Sequence, residues 1–255
     1  MTNELLAVFS EITVGTYKVE RAAISTCADF DQLNDLLFAL KNPPEELLKE
    51  LSKEPEISLT FGLRGEEETK WNGVFSHYFW HNDELNVVAL GPEVEALNTV
   101  ITESYTDESS KSVVNKLIQE AGLSAKQIDL PDETFEHLAF SKKPVWECLW
   151  QIVGSLNEYG HDLDKFRLWH GADGLYFTDK TLDKTWIIND ENSIERYQMG
   201  ESEQLAIALT PGLLLGHKVH VIDKVKNIDE FGRVSMVNHV ISEHTARTYL
   251  SYEVL

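Results

Sequence analysis

The stretch "TPGLLLGHKVHVID", Thr210 to Asp223, sets a proline, two glycines and two histidines around an apolar run. Three readings compete for it: a phosphate-cradling loop, part of a metal site, or the entry into a β-strand. A phosphate loop has the spacing G-x-x-x-x-G-K-[ST] between a strand and a helix. Here His217 follows Gly216 and displaces Lys218 from the lysine position. The residues after it alternate as a strand does, so no helix N-terminus is at hand to hold an anion. His217 and His220 are three apart, which in a strand puts them on opposite faces, so they cannot chelate one ion together. No HExxH, CxxC or clustered carboxylate–histidine pattern joins them, and His239 and His244 add candidates only if strand pairing brings them close. Pro211 and Gly212 are therefore expected to make a turn, Gly216 to let the backbone bend, and the histidines to alternate along a strand. That reading expects no metal site, no cofactor and no catalytic residue here.

Working outward, the same alternation recurs in Lys218 to Ile222, in Val234 to Val240 and in Arg247 to Tyr252. Polar, Gly-containing turns separate the three runs, which makes the last third a β-meander. At the other end, residues 4–19 hold short apolar and β-branched runs broken at Gly15, expected as one or two strands. In residues 28–53, Leu33, Leu36, Leu37 and Leu40 share one helical face, so a helix is expected, followed after Pro43 and Pro44 by a second over "EELLKELSK". Ile57, Leu59 and Phe61 then alternate, and strands continue to residue 90 around turns at Asn72-Gly73 and Asn82-Asp83.

The middle of the chain is helical. "SYTDESSKSVVNKLIQEAGL" opens with acceptor side chains, carries the stripe Val113, Val114, Leu117 and Ile118, and has Gly122 just past its end. "PVWECLWQIVGSLNEYG" repeats the design with Val145, Leu149, Ile152 and Val153, and Gly160 as C-cap. Two strands around Ala172-Asp173-Gly174 and a short strand in "TWIIND" follow. The expected fold class is mainly β with an α/β insertion: two small antiparallel β-barrels joined by a helical segment. The expected divisions are a barrel with a helical excursion over 1–95, an α/β segment over 96–185 that belongs to the second barrel domain, and barrel strands over 186–255.

Composition narrows the function. The apolar fraction of 42% in 255 residues suits a packed core. No run of about 18 apolar residues suggests a membrane span, and the N-terminus lacks a basic region ahead of its apolar part. Cys27 and Cys148 lie far apart and are expected as reduced, packed thiols. The 43 acidic against 22 basic residues give a net charge of −21. Nucleic-acid affinity comes mainly from Lys and Arg on phosphates, so tight DNA binding is not expected. A like-charged passage through which DNA slides is compatible with this charge.

Catalytic patterns are sparse. There is no G-x-S-x-G elbow, and Cys148 sits in an aromatic-rich helix rather than an electropositive pocket. His161, Asp162 and Asp164 suggest acid–base work, yet at a helix-to-strand junction they are expected to cap and solvate the turn. The aromatic stretch "WNGVFSHYFWHN" is either a carbohydrate platform or, as alternating strand aromatics usually are, core and interface.

In their order, "SYTDESSKSVVNKLIQEAGL", "DLPDETFEHLAFSKKPVWECLWQIVGSLNEYG", "GLYFTDK", "LTPGLLLGHKVHVI" and "FGRVSMVNHVISEHTARTYLSYEV" resemble the late control protein D family of phage tails. That family includes the central baseplate hub proteins of contractile phages and the hub part of type VI secretion spike proteins. The resemblance rests on a capped helix ending in Ala-Gly (Ser110 to Gly122), a Pro-x-x-Thr-Phe strand (Pro131 to Phe135), a helix around Trp146 to Leu149, the Pro211-Gly212 turn, and the valine-rich, histidine-bearing strand Val237 to Val240. It covers most of residues 57–255. Two departures stand out: the chain stops at Leu255 without an appended domain, and "NEYGHDLDKFRLWHGADG" is longer and more acidic than the family's pattern.

The resemblance implies a non-enzymatic hub, a homotrimer whose six barrels form a ring between tail tube protein and a separate spike or needle protein, alongside other baseplate proteins. DNA would be transiting cargo, and the protein would belong to the virion's tail baseplate after assembly in the host cytoplasm. The alternative is a carbohydrate-binding or cell-wall-degrading tail component, which needs a carboxylate pair in a cleft or an exposed aromatic platform.

Overall fold

The computed structural model describes residues 8–20, 22–30, 32–65, 68–171, 173–199 and 202–255. The start of the first expected strand, residues 4–7, and Ala172 of the expected hairpin turn lie outside the described residues. The chain divides into two compact units, one of residues 1–91 and 181–255, the other of residues 92–180.

The first unit is built from strands. Its first segment runs β1 (Val8–Val14), β2 (Tyr17–Val19), β3 (Ala23–Asp29), β4 (Asp35–Lys41), the helix α1 (Glu45–Leu51), β5 (Glu56–Leu63), β6 (Glu68–His81) and β7 (Glu84–Leu90). The second unit contributes α2 (Val94–Asn98), β8 (Val100–Tyr105), β9 (Glu108–Ser109), α3 (Ser110–Glu120), β10 (Ala125–Ile128), β11 (Thr134–Phe135), β12 (Leu138–Pro144), α4 (Val145–Glu158), β13 (Arg167–Gly171) and β14 (Gly174–Thr178). The chain returns to the first unit with β15 (Leu182–Ile188), β16 (Ser193–Met199), β17 (Ser202–Ala208), β18 (His217–Asp223), β19 (Ile228–Ile241) and β20 (Ala246–Val254).

Among the described residues, one branched sheet takes up all 13 strands of the first unit, with β16-β17-β20-β19-β3-β4-β7-β6-β5-β1-β2 as its main path and β18 and β15 on a branch. The branch is made by β19. Its first half pairs with β18, and its second half, from Met236 to Ile241, pairs with β3. The two distant ends of the chain thus share one sheet. Strand alternation does the rest: Leu36, Phe38 and Leu40 of β4 are buried with Leu85, Val87 and Ala89 of β7 and with Ile57, Leu59 and Phe61 of β5. Leu47 and Leu51 of α1 are buried in the same cluster. Each fully buried Leu, Val or Phe side chain contributes about 1.5–3 kcal/mol relative to exposure, so this layer is the first unit's main source of stability.

The second unit has its own core. Ser109 caps α3, its hydroxyl oxygen accepting from the Ser112 amide at 3.3 Å. The helix buries Val113, Val114, Leu117 and Ile118, the stripe expected from their spacing. It ends with Gly122 at φ 69°, and the Leu123 amide donates to the Ile118 carbonyl at 3.0 Å. That pattern satisfies carbonyls a helix end would otherwise leave open. Helix α4 buries Val145, Trp146, Cys148, Leu149, Ile152, Val153 and Leu156 in the same cluster, with Phe166, Leu168 and Phe177. The core is shared with a short three-stranded sheet, β10-β14-β13, through Leu168, Leu175 and Phe177.

Two expectations need correction. Residues 35–41 form strand β4 rather than a helix. "DLLFALK" is apolar on both faces, so 3.6-residue and 2-residue periods both fit it, and its shortness decides for a strand. Asn72-Gly73 is not a turn: β6 runs unbroken from Glu68 to His81. Gly73 is there for close approach, because a Cβ would stand 2.2 Å from the Leu90 carbonyl oxygen. Within this mainly antiparallel arrangement β15 pairs parallel with β18 and β10 with β14. In the first case the intervening hairpin β16–β17 brings the chain back to the end from which β15 began. Asn82-Asp83 does form the tight β6–β7 turn, with φ of 49° and 63°.

Candidate functional site

The histidines of the last third were the first candidates, and the fold places each of them. Gly212 at φ 78° and Gly216 at φ 77° bound the turn that leads into β18. His217 opens β18 buried, and His220, one pleat and a half later, is only half-buried on the opposite face. The Leu214 amide (3.0 Å) and the Trp186 indole N–H (3.1 Å) both donate to Nδ1 of His217. Two donors aimed at one ring nitrogen fix it as the lone-pair nitrogen. His220 instead stacks on Phe231, centroids 4.2 Å apart, with Nε2 2.6 Å from Asp229 Oδ1.

His239 is the best-enclosed member. It is 3% exposed on β19 and its ring centroid lies 5.0 Å from that of Phe61. Its Nε2 lies 3.2 Å from the Leu213 carbonyl, which can only accept, so Nε2 carries the proton. Nδ1 then accepts from the Thr248 hydroxyl at 2.9 Å. That hydroxyl oxygen accepts in turn from the Thr210 amide at 2.9 Å. The chain of donors is complete with a neutral ring. Burial pushes the His239 imidazole down to about 4, partly offset by the bond to Leu213. Together with the bond from the Gly212 amide to the Thr69 hydroxyl, these contacts tie the 210–217 turn to β19, β20 and β6. They are a structural lock, and among the described residues no group of His, Cys, Asp or Glu is arranged to hold a metal.

The other chemical candidates are also kept apart. His161 Nε2 lies 2.9 Å from Glu133 Oε1, while Asp162 accepts from the Asp164 amide at 3.4 Å. Arg167 donates to the Asp164 carbonyl. Burial raises both thiols, Cys27 and Cys148, to about 11, opposite to what a nucleophilic cysteine needs. A groove at the β19–β20 turn is lined by Phe9, Ile241 and Ala246 and holds one acid, Glu243, beside His244. One carboxylate does not make the pair that glycoside hydrolysis uses.

What sequence reading left open was the aromatic stretch. Strand β5 pairs with β6 only as far as Glu56 opposite Val74. Beyond it β6 continues as one arm of the β6–β7 hairpin, and all of Ser76 to His81 is exposed. Tyr78 is 47% exposed, Phe79 44% and Trp80 54%. Tyr78 and Trp80 stand opposite Val87 and Leu85, both fully buried, whereas His77 and Phe79 occupy the other face. Aromatic side chains therefore stand on both faces of one free-standing strand end.

No protein-family model matches the chain, and no curated protein matches its sequence. Solved structures do. The tail protein from Neisseria meningitidis MC58 superposes with a TM-score of 0.70 at 11% identity, over 96% of each chain. The 43 kDa tail protein of prophage MuSo2 from Shewanella oneidensis gives 0.72 at 9% identity, over 97% of each chain. The chain shares its fold with these tail proteins. A type VI secretion component of E. coli, described as similar to T4 bacteriophage tail proteins, matches at 0.64 and 10% identity, over 97% of this chain and 77% of its own. The tail-protein fold thus extends over both units of the chain, and it is mainly β with a helical insert. At such identities the likeness carries the architecture and not the chemistry of any one side chain. Among the described residues no helix is long and apolar enough to cross a membrane.

Proposed function

We propose that this chain is a structural hub of a phage tail or of a related injection machine, without catalytic activity of its own. The observation that carries the reading is the tail-protein fold over 96–97% of the chain. In this reading the branched sheet of the first unit supplies the two barrels expected from sequence, one around β4–β7 and one around β17–β20. Three copies form a ring of six barrels between tail tube protein and spike, with DNA as passing cargo. The net charge of −21 favours this, because a wall of like charge guides DNA without holding it. Membership of the late control protein D group, residence in the virion's tail baseplate and assembly in the host cytoplasm belong to the same proposal.

Mass in solution tests it. The chain of 29.0 kDa is expected to run at three times that mass, alone or with tube and spike proteins present. A chain that stays monomeric in all those mixtures would sink the ring. The absence of catalysis has its own test: purified cell wall in a zymogram is expected to stay intact, and clearing by the purified chain would overturn it.

A further inference from the structure

The distal arm of β6 combines three properties. Its outer strand edge is open: the Phe75 amide still donates to the Pro55 carbonyl at 3.0 Å, but from Ser76 to His81, among the described residues, β7 is its one partner strand. Its two faces present Tyr78 and Trp80 on one side and His77 and Phe79 on the other, with His77 stacked on Phe79 at 6.2 Å. It also carries no acid. The chain has 43 acidic residues in 255, yet none from Lys70 through Asn82.

An open edge with exposed aromatics is a surface that proteins cover, by pairing it or packing on it. The charge identifies what covers it. An acidic protein can bind a foreign partner through complementary basic groups, but two copies of the same acidic chain repel wherever their acids face each other. Self-association of a chain at −21 needs a contact from which acids are missing, and interface cores are depleted in charge and rich in Tyr, Trp and Phe. We propose that Ser76–His81 is the contact through which one copy of this chain holds the next. In a ring of three every contact is head-to-tail, so the arm docks on a different surface of the neighbour. Such head-to-tail contacts build a closed ring when the rotation from copy to copy closes. This inference rests on the ring reading above and adds the surface that makes it.

The test uses the full chain. Wild type and the triple variant Tyr78→Ser, Phe79→Ser, Trp80→Ser are compared by sedimentation at micromolar concentration. The variant is expected to fall from three times 29.0 kDa to 29.0 kDa, with the circular dichroism spectrum and melting temperature of its monomer intact. A variant that keeps the wild-type mass overturns the inference and leaves the ring reading standing. A wild type that is monomeric in every mixture sinks both. Should the triple variant misfold, a single photo-reactive p-benzoylphenylalanine in place of Trp80 decides in an otherwise native chain. Irradiation is expected to give a band of two chains whose cross-linked peptides both come from this protein. Cross-links only to added tube or spike protein, or none from an intact oligomer, overturn it.

Discussion

Residues 210–223 and 75–83 are made of the same materials, histidines and large apolar groups set in β-strands at a turn, and they end in opposite conditions. In the first, the Thr210, Gly212 and Leu214 amides donate to side chains of the same unit, and the turn closes over His239, which is shut between Phe61, Thr248 and the Leu213 carbonyl. In the second, His77, Tyr78, Phe79, Trp80 and His81 all face outward. Residue type does not separate the two. What does is whether a neighbouring strand continues past the residue: β19 has partners along both edges, whereas β5 stops short of the end of β6.

The largest blow to the closed region is Phe61→Ala. It removes a 1% exposed ring from the core and the partner of His239, and should cost about 3–5 kcal/mol of unfolding free energy in urea titration. Next comes His239→Ala. It leaves the Leu213 carbonyl and the Thr248 hydroxyl without their ring partner, and should cost about 2–3 kcal/mol. Loss of less than 1 kcal/mol would mean that the donor chain is dispensable.

Acid should act on the same ring. Its folded-state value, about 4, lies below the 6.5 of a free imidazole. Above pH 6.5 both states are neutral and stability is unaffected. As pH falls from 6.5 towards 4 the unfolded chain takes up the proton first, and stability is lost. The loss can reach about 3 kcal/mol at the acid end. Comparing wild type with His239→Gln isolates it: the variant should lack that limb of the pH profile.

Gly216→Ala comes third, at about 1 kcal/mol, because a side chain is strained at φ 77°. At the open region the expectation reverses. Trp80→Ser should change the thermal stability of the isolated subunit by less than about 0.5 kcal/mol, since the ring is 54% exposed. A large loss there would show that the arm is core after all.

Much of this could be read from residues in order. The stripe on α3, the cap at Ser109, the meander of β18 to β20 and the opposite faces of His217 and His220 all follow from period and spacing. The failures share a cause. For "DLLFALK" both faces are apolar because the strand is covered or half-covered on both, so the period vanished. Gly73 carries the mark of a turn, but its reason is the carbonyl of Leu90 across the sheet. The parallel pairs, and the meeting of β3 with β19, depend on contacts with no local signature. From sequence the aromatic stretch reads as a carbohydrate platform or as core and interface, and its exposure depends on where β5 ends, a property of a different segment.

The pairing of β3 with β19 has a temporal consequence. Ser25 meets Asn238 across 213 positions of chain, so β3 leaves the ribosome long before its partner is made. The insert of residues 92–180, with its local helices and separate core, can fold while synthesis continues. The first ninety residues must wait with the edge of β3 unpaired until Met236 to Ile241 are made, and long-range pairing of this kind is slow and prone to aggregation. Translation stalled before residue 228 should therefore leave a protease-resistant middle flanked by a sensitive start, and release of the full chain should protect both.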